Sequence, residues 1–213
     1  MQPKIERPKM ETKDRILKGA EELFFKYGIK SITMDDIAKH LAMSKKTIYQ
    51  FYADKNEMVE TLMKERLKED KCELSEIQEK SENVIVEVFN TMKHMSVMFS
   101  SLNPNVFYDL QKYHSKAWML FKNFKEECMS KMIEESIDKG KKQGLVREDI
   151  NTSIIARMRL EQVENGFNPE IFSPGKYKIA DVQIAMMDHF LHGICTLKGH
   201  KLLNEYKELI EEE

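Results

Sequence analysis

The chain has 213 residues, 41% of them hydrophobic and 33% charged, enough apolar material for a helical protein with a real core. Its apolar stretches are short and broken by charge, its N-terminus MQPKIERPKMETKDR lacks an apolar centre, and Cys72, Cys128 and Cys195 form no CxxC pair. These features argue against a membrane span, a secretory signal or a disulfide framework, and predict a cytoplasmic protein with reduced thiols. The net charge of −2 is unevenly placed: residues 1–55 hold 12 Lys/Arg against 8 Asp/Glu, whereas the remainder holds 22 against 28. A basic front on an acidic body is expected where only one domain meets phosphate.

Residues 1–11, with Pro3, Pro8 and mixed charges, read as a flexible arm. A first helix follows from Thr12, with Ile16, Ala20, Leu23, Phe24 and Tyr27 at helical spacing and Gly28 as its stop. Thr33 and Asp36 form a capping-box pattern for a second helix, whose Ile37 and Leu41 would face the first. Ala42-Met43 makes the turn, Ser44 is a good N-cap for a third helix to about Tyr52, and Asp54 caps a fourth from Lys55 to around Lys71. Further helices are predicted over 82–102, 106–113, 115–142, 152–163 and 179–197, with Asn103-Pro104, Gly144 and a loop containing Gly166, Pro169 and Pro174 as breaks. The tail to Glu213 reads as helical, then frayed. No alternating pattern suggests strands, and the fold class is all-α. The organisation expected is an arm (1–11), a three-helix helix-turn-helix domain (12–56) and a larger helical domain (57–213).

The third helix carries the chemistry of DNA readout. Such a helix needs groups that reach base edges, hydroxyls and lysines that clamp phosphates, and an apolar side that packs on its brace. In Ser44-Lys45-Lys46-Thr47-Ile48-Tyr49-Gln50-Phe51-Tyr52, Ile48 points inward while Lys45, Lys46, Tyr49 and Gln50 can point outward. Lysine can donate to guanine and glutamine can pair with adenine, so Lys45, Lys46 and Gln50 are base-reading candidates. Thr33, Thr47, Tyr49 and Lys55 suit the phosphate backbone, although an aromatic at position 49 can equally pack against the fourth helix.

Thr33 with Asp36-Ile37-Ala38, then Ser44-Lys45, Thr47, Tyr49, Lys55 and Glu57, preceded by Leu23-Phe24-Phe25-Lys26-Tyr27-Gly28, resembles the TetR family of bacterial transcriptional regulators. The resemblance covers about residues 12–60. It implies a homodimer that binds operator DNA, with a C-terminal helical domain for dimerisation and effector binding. It also implies that Thr33, Ser44, Lys45, Lys46, Thr47, Tyr49, Gln50 and Lys55 form the DNA-binding set. Ala42 departs from the family, where glycine is frequent in the turn, and is expected to adopt a positive φ at a cost of about 1 kcal/mol. Lys46 and the Phe51-Tyr52 pair also depart, so the operator sequence does not carry over.

For the body, Val182, Met186, Phe190, Ile194 and Leu197 line one face of the last long helix and suit a dimer interface. Its partner is either the 152–163 helix, which is preferred, or the helix before it; the same residues could instead complete the monomer core. Met92, Met95, Phe99, Phe107, Tyr108, Trp118 and Phe121 are candidates for an adaptable effector pocket, with plain core packing as the alternative. His94 and His114 are further polar candidates to orient a ligand. His189 and His192 lie three apart, but nothing completes a metal set. No phosphate loop, GxSxG or HExxH occurs, so neither catalysis nor a cofactor is expected. The leading expectation is a ligand-responsive repressor that takes a small apolar or amphipathic effector. The alternative is a constitutive DNA-binding or adaptor protein whose helical domain binds another protein.

Overall fold

The computed structural model describes residues 9–100, 102–173 and 175–211. Among them there is no strand, only an isolated antiparallel bridge between Val146 and Cys195, and no helix long and apolar enough to cross a membrane. The helices are α1 (Lys9–Tyr27), α2 (Met34–His40), α3 (Lys45–Tyr49), α4 (Lys55–Lys80), α5 (Val84–Ser100), α6 (Asn105–Tyr113) and α7 (Ser115–Asn123). A π-helical turn over Phe124–Met129 joins α7 to α8 (Ser130–Lys142), followed by α9 (Thr152–Gly166), α10 (Ile179–Ile194) and α11 (Leu197–Glu211). The chain forms two compact units, Met1–Arg66 with Ser101–Leu120, and Leu67–Ser100 with Phe121–Glu213.

In the first unit α1 starts at Lys9, three residues ahead of the expected Thr12; positions 1–8 of the expected arm lie outside the described residues. Ile16, Ala20 and Phe24 are fully buried, and Gly28 ends the helix at φ 83°, a conformation that favours glycine. The end of α1 and the segment after it are held by the 103–109 stretch. The Lys30 amide donates to Asp109 Oδ2 at 2.7 Å and the Asn103 amide to the Phe25 carbonyl at 2.6 Å. Gly19 lets α2 and its turn approach, because a Cβ there would lie 2.6 Å from Leu41 Cδ2.

In the second unit the core joins Val84, Ile85, Ile137, Val146, Leu191 and Leu203 with their neighbours. Gly144 (φ 67°) ends α8 as expected. Three expectations need correction: α9 runs on to Gly166, which was expected in the following loop, and two helix ends move. The fourth helix runs to Lys80 rather than Lys71: no breaker interrupts the Glu/Lys/Gln-rich stretch, and Leu74 is buried. The last long helix stops at Ile194 rather than Leu197, because Cys195 turns extended (ψ 148°) to bridge Val146. The Arg147 amide donates to the Ile194 carbonyl and the Thr196 amide to the Leu145 carbonyl, each at 2.9 Å. The tail then continues as α11 to Glu211; residues 212–213 and Pro174 of the expected loop lie outside the described residues.

Candidate nucleic-acid interface and interior cavity

The unit built by α2, the turn and α3 is set almost wholly by local hydrogen bonds. Thr33 Oγ1 accepts from the Asp36 amide at 3.2 Å and the Thr33 amide donates to Asp36 Oδ2 at 2.9 Å, a complete capping box. The Thr33 hydroxyl and amide also hold the Asp36 carboxyl below its usual range. At the other end of α2, the Met43 amide donates to the Ala38 carbonyl (2.9 Å) and the Ala42 amide to the Lys39 carbonyl (3.1 Å), the paired bonds of a Schellman motif. Ala42 occupies the left-handed position at φ 52°, where a Cβ is strained and glycine is not. Arg15 reaches from α1 to the Leu41 carbonyl at 3.1 Å.

Ser44 then caps α3, accepting from the Thr47 amide at 3.1 Å, with the two hydroxyls 2.8 Å apart. Ile48 is fully buried and fixes the rotation of this five-residue helix. Ser44, Lys45, Lys46, Tyr49 and Gln50 are exposed and share this short segment, while Thr47 is half-buried. Tyr49 is 50% exposed, and it is Tyr52, not Tyr49, that takes the buried aromatic place. Burial pushes the Tyr52 phenol well up, and its hydroxyl has no hydrogen-bond partner.

One expected phosphate clamp, Lys55, and one expected base reader, Lys45, have other partners. Lys55 turns inward: its ammonium donates to the Ile32 carbonyl at 2.6 Å and lies 5.8 Å from the Phe24 ring centroid. Burial lowers its pKa, against the pull of Asp109 and Asp36. It therefore staples the loop between α1 and α2. Lys45 pairs with Asp35 at the start of α2, an exposed contact that a phosphate can replace. Sequence reasoning had no signal for Asp35 in this role or for Arg15, since both act across the fold. One further lysine anchor is internal to the second unit and lies far from these residues in sequence: Lys139 donates to Glu87 Oε2 at 2.8 Å and to the Gln78 and Ser81 carbonyls.

The second unit holds a partly open cavity of about 160 Å³ between α4, α5, α8, α9 and α10. Met92, Met95 and Phe99 line it as expected, together with Met132, Met187 and Phe190. Phe107, Tyr108 and Trp118 do not line it and belong to the first unit, and Phe121 packs in the core instead. Both α6 and α7 start beyond the Asn103-Pro104 break, so helical periodicity through α5 does not carry onto them. His114 is likewise in the first unit, buried, while His94 Nε2 lies 3.1 Å from Glu73. The residues that the sequence did not reveal are the buried polar ones, Glu87, Arg159 and Gln183. For Arg159 a signal existed: it sits three residues after Ala156 and four before Val163, on the inward stripe of α9.

The proposed dimer face also needs correction. Val182 and Ile194 are buried within the single chain and so do not face a partner; Phe190, beside the cavity, and Met186 are half-buried, and Leu197 is exposed beyond the end of α10. The apolar residues left open on these helices are Ile154 (58% exposed) and Met158 (54%) on α9 and Ile184 (42%) on α10. His192 hydrogen-bonds the Asp188 carbonyl of its own helix. Burial pushes the Cys195 thiol up to about 11, the opposite of an activated nucleophile.

Comparison with known proteins gives this arrangement its context. Residues 16–62 match the family described as bacterial regulatory proteins, tetR family. An HTH-type transcriptional regulator of Bacillus subtilis (strain 168), YvaF, is 27% identical over 167 residues, covering 78% of this chain and 87% of its own. A TetR-family transcriptional regulator from Agrobacterium tumefaciens shares the fold at a TM-score of 0.71 and 14% identity, covering 88% of this chain and 99% of that one. The Thermus thermophilus repressor FadR, solved in complex with lauroyl-CoA, shares it at a TM-score of 0.55 and 18% identity over 85% of this chain and 94% of that one. These relatives are described as transcriptional regulators.

Proposed function

We propose that this chain, whose residues 16–62 match the tetR family of DNA-binding regulators, is a cytoplasmic repressor that reads a palindromic operator as a homodimer and responds to a small effector. The single observation that carries the DNA reading is the α2–turn–α3 unit, with Ile48 locked inside and Lys46, Tyr49 and Gln50 open to solvent. Lys46 and Gln50 are the base readers; Tyr49, Ser44, Thr47 and Lys45, once released from Asp35, hold phosphates. Thr33 contributes its position at the start of α2 while its hydroxyl stays with Asp36. Lys55 sets the loop rather than the phosphate.

Two copies joined through the open faces of α9 and α10, around Ile154, Met158 and Ile184, would present two reading helices to successive major grooves about 34–36 Å apart. The cavity is the effector site, and its presence favours this reading over a constitutive DNA-binding or adaptor protein. That the fold also holds lauroyl-CoA in a related repressor supports the same view. Binding there would weaken DNA affinity through a coupling free energy between the sites. Selection of bound DNA from a random pool tests the proposal. A two-fold symmetric consensus is expected, bound by the wild type and lost in Tyr49→Ala. An asymmetric consensus, or one that Tyr49→Ala binds equally well at fixed salt, would overturn it.

A further inference from the structure

The second unit holds two deeply buried cations in very different company. Lys125, in the π-helical turn, is 2% exposed and is surrounded by Glu164, Glu161 and Glu126. Burial pulls its pKa down, but the three carboxylates outweigh this and leave it raised. Arg159, on α9, is 5% exposed and has no such company. Its Nη1 is buried without a hydrogen-bond partner, and its one contact of note is the Phe190 ring, 5.8 Å from the guanidinium carbon. Burial alone pulls its pKa to about 10, with nothing to offset it, so it stays charged near neutrality.

An unpaired charge so deeply buried is among the more costly features a fold can carry. Arg159 borders the cavity, whose other walls are chiefly methionine, valine, isoleucine and phenylalanine. Apart from the neutral Ser96 hydroxyl, the remaining polar groups there are already engaged. Glu87 is bound by Lys139 and Ser136, the Gln183 amide donates to the Val163 carbonyl at 2.9 Å, and the Thr91 hydroxyl donates to the Glu87 carbonyl at 2.9 Å. The cavity therefore offers one open cationic group and an apolar sleeve.

We infer that the effector is a small lipophilic monocarboxylate, its carboxylate on the Arg159 guanidinium and its hydrocarbon body among Met92, Met95, Phe99 and Met187. A single guanidinium neutralises one negative charge and can grip a planar carboxylate with two parallel hydrogen bonds. A phosphate ester or dicarboxylate would bring charge that no second cation meets. The size of the body follows from the volume: apolar cavities of about 150 Å³ accept a benzene ring. The inference rests on the effector reading proposed above and specifies its chemistry.

The test compares benzoate and hexanoate with benzamide and hexan-1-ol, of matching shape but no charge, on full-length protein, by thermal shift and by release of the selected operator. In the wild type each carboxylate is expected to bind at least about tenfold more tightly than its neutral counterpart. In Arg159→Met this preference is expected to vanish, while the unliganded variant melts no lower than the wild type because an unpaired charge has been replaced by an apolar chain. Equal binding of carboxylates and neutral compounds to the wild type would overturn the anion inference alone. Stabilisation by neither class would overturn the effector reading of the cavity as well. Should Arg159→Met fail to fold, Arg159 is a structural residue, and the wild-type contrast still decides the ligand's charge.

Discussion

The two units of this protein solve the problem of positioning side chains in opposite ways. The first unit fixes its reading helix with caps and turns, each formed between residues three to five apart: Thr33 with Asp36, Ala38 with Met43, Ser44 with Thr47. The second unit fixes its cavity with contacts across 20 to 61 positions of sequence, such as Gln183 on Val163 and Lys139 on the Gln78 carbonyl. Local bonds make a small, stiff surface whose exposed residues are free to bind. Long-range contacts make an interior in which a polar group is either satisfied or waiting for a ligand.

The comparison predicts where stability and function separate. The largest effect is expected for Lys139→Met, which leaves the buried Glu87 carboxylate without its ammonium and should lower unfolding stability by about 3–5 kcal/mol in denaturant titrations. A much smaller loss would mean that the second unit's polar contacts are not individually decisive. In the first unit, Lys46→Ala and Gln50→Ala should each cost about 1–3 kcal/mol in affinity for the selected operator and relax its sequence preference. Neither should move the unfolding transition, because both side chains are exposed.

Smaller effects test the local bonds themselves. Ser44→Ala removes the cap of a five-residue helix and should cost about 1 kcal/mol of stability, with DNA affinity falling alongside. Ala42→Gly relieves the left-handed alanine and should raise stability by roughly 0.4–1 kcal/mol with no change in operator consensus. A fall in melting temperature for Ala42→Gly would show that the turn is not strained in solution.

What could be read from the sequence divides along the same line. The caps at Thr33, Ser44 and Asp54, the stops at Gly28 and Gly144 and the positive φ of Ala42 were legible, because each depends on a few neighbouring residues. The inward turn of Lys55 was not, since its acceptor is the Ile32 carbonyl, 23 positions away. The end of α10 at Ile194 was hidden for the same reason: Val146, which draws Cys195 into the bridge, lies in a distant loop. Apolar periodicity marked a helix starting at Ile179 but could not say which of its faces the single chain buries. It also passed over Arg159, because a search for apolar stripes discards the charged residue within one.

The π-helical turn has a consequence in helical phase. Phe121, Lys125, Met129, Ile133 and Ile137 recur every four residues along one run; Phe121, Lys125 and Ile137 are buried, and Met129, Ile133 and Ile137 line the second unit's cavity. On a regular α-helix four residues overshoot a full turn by about 40°, so four such steps would carry the stripe some 160° round the axis. The wider turn at Phe124–Met129, where the Ser130 amide reaches back five residues to the Lys125 carbonyl, takes up part of that excess. Facing and length are thereby decoupled at this point in the chain. Losing one residue there would let the run close as ordinary α-helix and leave Ile133 and Ile137 near their present facing, whereas closing the wide turn at unchanged length would swing both by up to about 100°.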